Sequence, residues 1–179
     1  MDILVKLAEN TDISSYTKLL QRTYVKTYVN EELGLTKECF SEEIFNNPLT
    51  QDYLLSNLQN NINQYAWLAL NGDKLVGSIT VKVGEKESEI TGFYVAPECQ
   101  GQGVGRKLYQ KALKIIGDKE VVIDLYAHST KSFEMYIKWG FKVDETRGDK
   151  GYFYRHWDEW PNDLKAKCVY MRLTNRKKV

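Results

Sequence analysis

Between residues 100 and 105 the chain reads Gln100-Gly101-Gln102-Gly103-Val104-Gly105, and this run constrains the fold more than any other segment. A strand-like stretch, Ile90 to Val95, precedes it, and a helix-like stretch, Arg106 to Ile116, follows it. Alternate glycines at a strand-to-helix turn let backbone come close to a ligand, because no Cβ blocks the approach. The helix beyond begins with unpaired N–H groups and a partial positive charge, which suits phosphate or pyrophosphate. Arg106 and Lys107 add two cations at the same place. The segment predicts a bound phosphoryl compound.

The spacing narrows the choice. A Walker loop needs Gly-x-x-x-x-Gly-Lys-Ser/Thr, which no stretch provides, and the dinucleotide pattern Gly-x-Gly-x-x-Gly would need glycine where Arg106 stands. The run does match Gln/Arg-x-x-Gly-x-Gly at Gln100, Gly103 and Gly105. Ahead of it lies Tyr94-Val95-Ala96-Pro97-Glu98; behind it lie a strand, Val121 to Ala127, and a helix carrying Tyr136 and ending in Gly140-Phe141. Together these resemble the GNAT superfamily of N-acetyltransferases, most closely over residues 64–146 and at the two ends by general layout.

A chain of 179 residues with 42% hydrophobic content suits a single domain spanning 1–179. A net charge of +1 argues against a nucleic-acid partner, and the short basic tail Arg176-Lys177-Lys178 reads as a solvated end. The start, Met1 to Lys6, lacks the pattern of a signal peptide, and no apolar run reaches membrane-spanning length. Cys39, Cys99 and Cys168 are odd in number and include no Cys-x-x-Cys, so neither a disulfide framework nor a metal site is expected. These features point to a soluble cytoplasmic protein, a monomer or homodimer.

Periodicity orders the rest. Residues 2–7 read as a strand, and Asp12 caps a helix to about Val29, with Ile13, Tyr16, Leu19, Leu20, Thr23 and Tyr24 near one face. A shorter helix fits Lys37–Phe45, and Asn47-Pro48 opens another to about Asn60. Tyr65–Leu70 and Lys74–Val83 flank a hairpin turn at Asn71-Gly72-Asp73, and Glu87–Val95 follows as a third strand. After the Gly loop come Val121–Ala127, a helix over Thr130–Trp139, and strands at 141–146 and 167–174. This predicts an α/β (α+β) fold with a mixed, mostly antiparallel sheet and helices on both faces. The resemblance further implies that Glu87–Val95 and Val121–Ala127 splay apart into a cofactor cleft.

The resemblance also assigns roles. Acetyl-CoA becomes the co-substrate, its pyrophosphate on the backbone of Gln100, Gly101, Gln102, Gly103, Val104, Gly105 and Arg106. Its pantetheine arm pairs with exposed backbone at Tyr94 and Val95. Ser129 stands where the family often has an asparagine touching the cofactor. Tyr136, four residues before Gly140, becomes the general acid for the departing thiolate; a phenol of pKa near ~10 is reasonably matched to a thiol near ~8.5. Glu89 becomes the base, acting through water. Tyr24, Tyr28 and Glu32 from one side, and Trp157 within the aromatic run Gly151–Trp160 from the other, form the acceptor pocket. Carboxylates there suit an amine's charge and ring faces its methylenes.

The leading expectation is acetyl transfer to a primary amine of a small molecule. Acetylation of a protein N-terminus or lysine is the enzymatic alternative, and a non-catalytic acyl-CoA-binding module a different class. A nucleotide-dependent oxidoreductase is disfavoured: Asp124 lies about 20 residues past the glycines, but inside a strand.

Overall fold

The computed structural model describes residues 2–161 and 163–174; the basic tail Arg176-Lys177-Lys178 lies outside them. The elements run β1 (Ile3–Leu7), α1 (Ile13–Thr27), α2 (Glu42–Asn46), α3 (Pro48–Leu58), β2 (Gln64–Asn71), β3 (Lys74–Val83) and β4 (Glu87–Val95). There follow α4 (Val104–Ile116), β5 (Glu120–Tyr126), α5 (Thr130–Lys138), β6 (Lys142–Val143), β7 (Tyr152–Arg155) and β8 (Ala166–Leu173). The strands form one sheet in the order β1-β2-β3-β4-β5-β8-β6, with β7 also paired to β8. Of the strand pairs, β4–β5 is parallel and the others are antiparallel.

Helices cover both faces. Tyr94 meets Tyr24 of α1, hydroxyl to hydroxyl at 2.9 Å, whereas its neighbours Phe93 and Val95 lie against Gly105 of α4. Successive strand residues point to opposite faces, so α1 and α4 flank the sheet from opposite sides. The spacing of α1 holds as expected: Tyr16, Leu19, Leu20, Thr23 and Tyr24 are buried. On α4 the buried stripe is Val104, Leu108, Tyr109, Ala112 and Ile116, the period of an amphipathic helix.

Several boundaries differ from the sequence reading. The expected helix over Lys37–Phe45 is a 3-10 turn, Glu38–Phe40, broken at Ser41, whose hydroxyl then caps α2 through the Ile44 amide. Asp12 does not cap α1 through its side chain; the carboxylate instead receives the Glu9 amide and the Lys6 ammonium. Asn47 caps α3 as expected, accepting from the Leu49 amide at 2.9 Å. Only Lys142–Val143 of residues 141–146 pair as a strand. The aromatic run that reads as a loop contains β7, which takes the outer part of β8: Tyr152 faces Val169 and Arg155 faces Ala166.

The β4–β5 pairing places the site. The two strands run together from Glu87/Glu120 to Ile90/Ile123 and then part. The β3–β4 register shifts at that point, between Thr80 and Val81, leaving Thr91 as an extra residue. Such a bulge bends its strand and sharpens the twist, which steers the rest of β4 away from β5. The closed end of this V is clamped by charge: Arg172 reaches Asp144, Glu87 and Glu120, each at 2.7 Å, and Arg147 also pairs with Glu87. Burial works against the Asp144 carboxylate, but Arg172 and Thr146 hold it below the usual aspartate value.

Candidate active site

The open end of the V leads into a cavity of about 510 Å³. Its walls come from β4 and β5 at the splay, from α1 and α3 on one side, and from residues 155–159 on the other. Tyr24, Tyr28, Tyr94, Tyr136 and Trp157, five of the residues singled out from sequence, line this one space. Tyr24 is the hub of its aromatic wall, with ring centres 4.8 Å from Tyr28, 5.4 Å from Phe45 and 5.5 Å from Trp157. Trp157 stacks on Trp160, whose indole N–H donates to the Cys39 carbonyl at 2.9 Å. The segment after β7 is thereby pinned onto the helices more than a hundred residues away. Burial pushes the Tyr24 phenol up to about 12, against the bond to Tyr94.

Tyr136 enters the cavity from α5. The helix is set by a stack in which Trp139 lies 4.4 Å from Tyr109 of α4, and Tyr109 lies beside Phe93 of β4. Tyr136 is 4% exposed, and burial holds its phenol well above the ordinary tyrosine value. The phenol therefore keeps its proton across the physiological range. Ser129, directly before α5, is buried, its hydroxyl has no hydrogen-bond partner among the described residues, and its side chain does not cap the helix. His128 beside it donates Nε2–H to the Tyr28 carbonyl at 3.0 Å, tying this turn to the end of α1.

The Gly loop has the form of an anion cradle. Gly101 and Gly103 lie at φ +75° and +85°, in the left-handed region, and a Cβ built on either would meet nothing within 4 Å. Gly105 sits close over Phe93, 3.3 Å from its Cζ to a built Cβ, which brings the start of α4 down onto β4. The helix begins at Val104, two residues earlier than the sequence suggests, so its first-turn amides belong to the loop itself. Among the described residues, the amides of Gly101, Gln102 and Gly103 make no backbone hydrogen bond. Gln100 and Gln102 brace the loop through Val95 and Glu98 carbonyls. Arg106 is exposed and without an ion pair among the described residues, whereas Lys107 is drawn off to the Ile3 carbonyl. An open amide cradle, a buried orphan hydroxyl at Ser129 and an unpaired β4 edge past Ile90 together fit a pyrophosphate joined to an extended arm.

Two expected residues stand elsewhere. Glu89 alternates with the buried Ser88 and Ile90, so its carboxylate turns away from the cavity toward a shallow depression shared with Lys82 and Gln64. Glu32 sits on an exposed 3-10 turn, Glu31–Leu33, and does not line the cavity. Of the charges that do, Asp158 and Glu159 fall within the run Gly151–Trp160 expected to face the acceptor, whereas sequence reasoning did not place Asp124 there. Asp124, Asp158 and Glu159 bring carboxylates to the walls, and Arg155 of β7 pairs with Asp124 at 2.5 Å. The signal was present: Asp124 interrupts the apolar strand Val121-Val122-Ile123-Asp124-Leu125-Tyr126.

Residues 28–141 match the acetyltransferase (GNAT) family, and the chain belongs to it. It is an N-acetyltransferase with acetyl-CoA as co-substrate. The chain is similar to a spermidine N(1)-acetyltransferase of Thermoplasma acidophilum, 26% identical over 151 residues, covering 83% of this chain and 86% of that one. Its fold resembles the PaiA N-acetyltransferase of Thermoplasma acidophilum, solved with coenzyme A, at TM-score 0.74 and 20% identity over 98% of this chain and all of that one. It also resembles the ribosomal-protein-S18-alanine N-acetyltransferase of Escherichia coli, at TM-score 0.65 and 16% identity, over 96% and 93% of the two chains.

Proposed function

We propose that this enzyme acetylates a primary amine of a small cationic molecule of the polyamine type. The observation that carries the reading is the cavity at the splay. Its aromatic wall suits methylenes, and three carboxylates against one arginine favour cations. The similarity to a spermidine acetyltransferase supports the same acceptor class. Trp157 against Tyr24 of α1 and Trp160 against Phe40 of the Glu38–Phe40 turn enclose the acceptor side, which favours a small acceptor over a peptide lying in an open groove.

In this reading the loop from Gln100 to Arg106 holds the pyrophosphate, Ser129 contacts the cofactor, and backbone at Tyr94 and Val95 aligns the pantetheine arm. The acceptor nitrogen enters as the free amine, its proton lost to water, and attacks the thioester carbonyl carbon. A C–N bond forms, the C–S bond breaks, Tyr136 gives its proton to the sulfur, and the proton that the nitrogen sheds on becoming an amide returns through water to the phenolate. Glu89 has no part in this step. Tyr24, Tyr28 and Trp157 hold the acceptor's chain.

The test is an amine panel with acetyl-CoA, following free thiol. Spermidine and related di- and triamines are expected to turn over, and amino acids and peptide N-termini are not. Coenzyme A is expected to raise the melting temperature, since a ligand bound only by the folded state stabilises it by mass action, about 2.7 kcal/mol at a hundred times Kd. Turnover confined to peptides would transfer the reading to protein acetylation.

Two substitutions bear on the carboxylates displaced from the site. Glu89→Gln and Glu32→Gln are each expected to leave kcat and both KM values within about twofold, as surface changes away from a site do. Trp157→Ala is expected to raise the acceptor's KM and leave that of acetyl-CoA nearly constant. A loss of kcat in Glu89→Gln that grows toward low pH would restore Glu89 as the base.

A further inference from the structure

Asp124 is the first residue of β5 beyond its last pairing with β4, so it stands where the cleft opens. Its side chain is 21% exposed and lines the same cavity as Tyr136. One carboxylate oxygen, Oδ1, takes Arg155 Nη2 at 2.5 Å; among the described residues the other, Oδ2, accepts no hydrogen bond. Arg155 is itself held on two rings, 5.4 Å from the centre of Tyr126 and 5.5 Å from that of Phe153. Burial works against its charge, yet Asp124 keeps the guanidinium more firmly protonated than usual.

A half-buried ion pair is a poor stabiliser, because desolvation of both groups offsets most of their attraction. Nor does this pair close the sheet: β5 and β7 are each joined to β8 by backbone ladders on their own. Arg155 acts as a strut from β7 that orients Asp124 on the cavity wall and leaves Oδ2 without a hydrogen bond among the described residues. The other carboxylates on the walls, Asp158 and Glu159, are exposed on the turn after β7. Asp124 alone of the three sits on the sheet at the splay.

We propose that Asp124 is a specificity-determining residue that receives an ammonium group of the acceptor on Oδ2 while Oδ1 remains on Arg155. The proposal rests on the cationic-amine reading above. Acceptors bearing a second ammonium gain this contact; Arg155, already occupied, offers no seat to an acceptor carboxylate.

The experiment is steady-state kinetics of wild type, Asp124→Asn, Arg155→Gln and the double variant, with spermidine, hexylamine and 5-aminovalerate as acceptors. Coenzyme A thermal shift checks folding and cofactor binding in each. Asp124→Asn is expected to raise the KM for spermidine by about 10- to 100-fold, the scale of a charge-assisted hydrogen bond, with the KM for acetyl-CoA unchanged. Hexylamine, with a single amine to be spent on the reaction, is expected to change less than about threefold. The double variant removes the uncompensated Arg155 cation and so guards against misfolding; it is expected to keep the spermidine defect. Recovery of wild-type KM in the double variant would reduce the pair to a neutral strut and overturn the proposal, as would an unaltered spermidine KM in Asp124→Asn. If wild type acetylates 5-aminovalerate and no cationic acceptor, the amine reading itself fails; if it acetylates spermidine and the variants match it, only Asp124 does.

Discussion

Gly103→Val is expected to weaken coenzyme A binding by at least about 100-fold while the protein stays folded. The size follows from the backbone. Gly103 holds φ at +85° as the N-cap of α4, and the space where its Cβ would stand is empty of protein. A β-branched residue forces the turn out of the left-handed region, a cost of about 1–2 kcal/mol. That is affordable against a domain stability of roughly 5–15 kcal/mol. The ligand loses far more: two or more amide bonds to a charged phosphate, each worth about 1.5–3 kcal/mol. Isothermal titration of coenzyme A with the folded variant measures it. Unchanged affinity would remove the pyrophosphate from this loop.

Tyr136→Phe is expected to lower kcat by about 100-fold or more, the scale of a general acid, with little change in acetyl-CoA binding. Phenylalanine keeps the ring against Trp139 and Phe141, so packing survives and only the hydroxyl goes. Burial raises the phenol's pKa, so the acid form persists to higher pH than in a free tyrosine. The same dry site penalises the thiolate and raises its proton affinity too, which keeps the transfer feasible. The sign of the pH profile follows. Activity climbs as the acceptor ammonium loses its proton, and no falling limb from Tyr136 is expected up to about pH 10, the free phenol's value. A variant with full kcat would leave Tyr136 a packing residue.

How much of this was legible depended on how local each determinant is. The Gly loop, the Asn47-Pro48 helix start, the hairpin and Tyr136 four residues before Gly140 are all settled within a few residues by backbone sterics and hydrogen bonding, and all are where the spacing put them. Gly72 carries that hairpin's positive φ by itself, at +59°. The pairing of Tyr24 and Tyr28 with Trp157 across one cavity came from the family resemblance and from no periodicity in the chain.

What only the tertiary structure decided are relations between distant residues. Asp124 and Arg155 are 31 positions apart, and nothing local to either announces the other. Their meeting depends on β7 joining β8, which the aromatic run Tyr152 to Tyr154 conceals because it alternates no more clearly than a loop. Glu89 stands outside the cavity lining for a similar reason. A strand's sequence shows which residues share a face, but the bulge at Thr91 and the parting of β4 from β5 decide which face meets the cavity. Backbone chemistry wrote an open amide cradle into six consecutive residues; the aromatic cavity exists only where helix, sheet and the β7 segment close on one another.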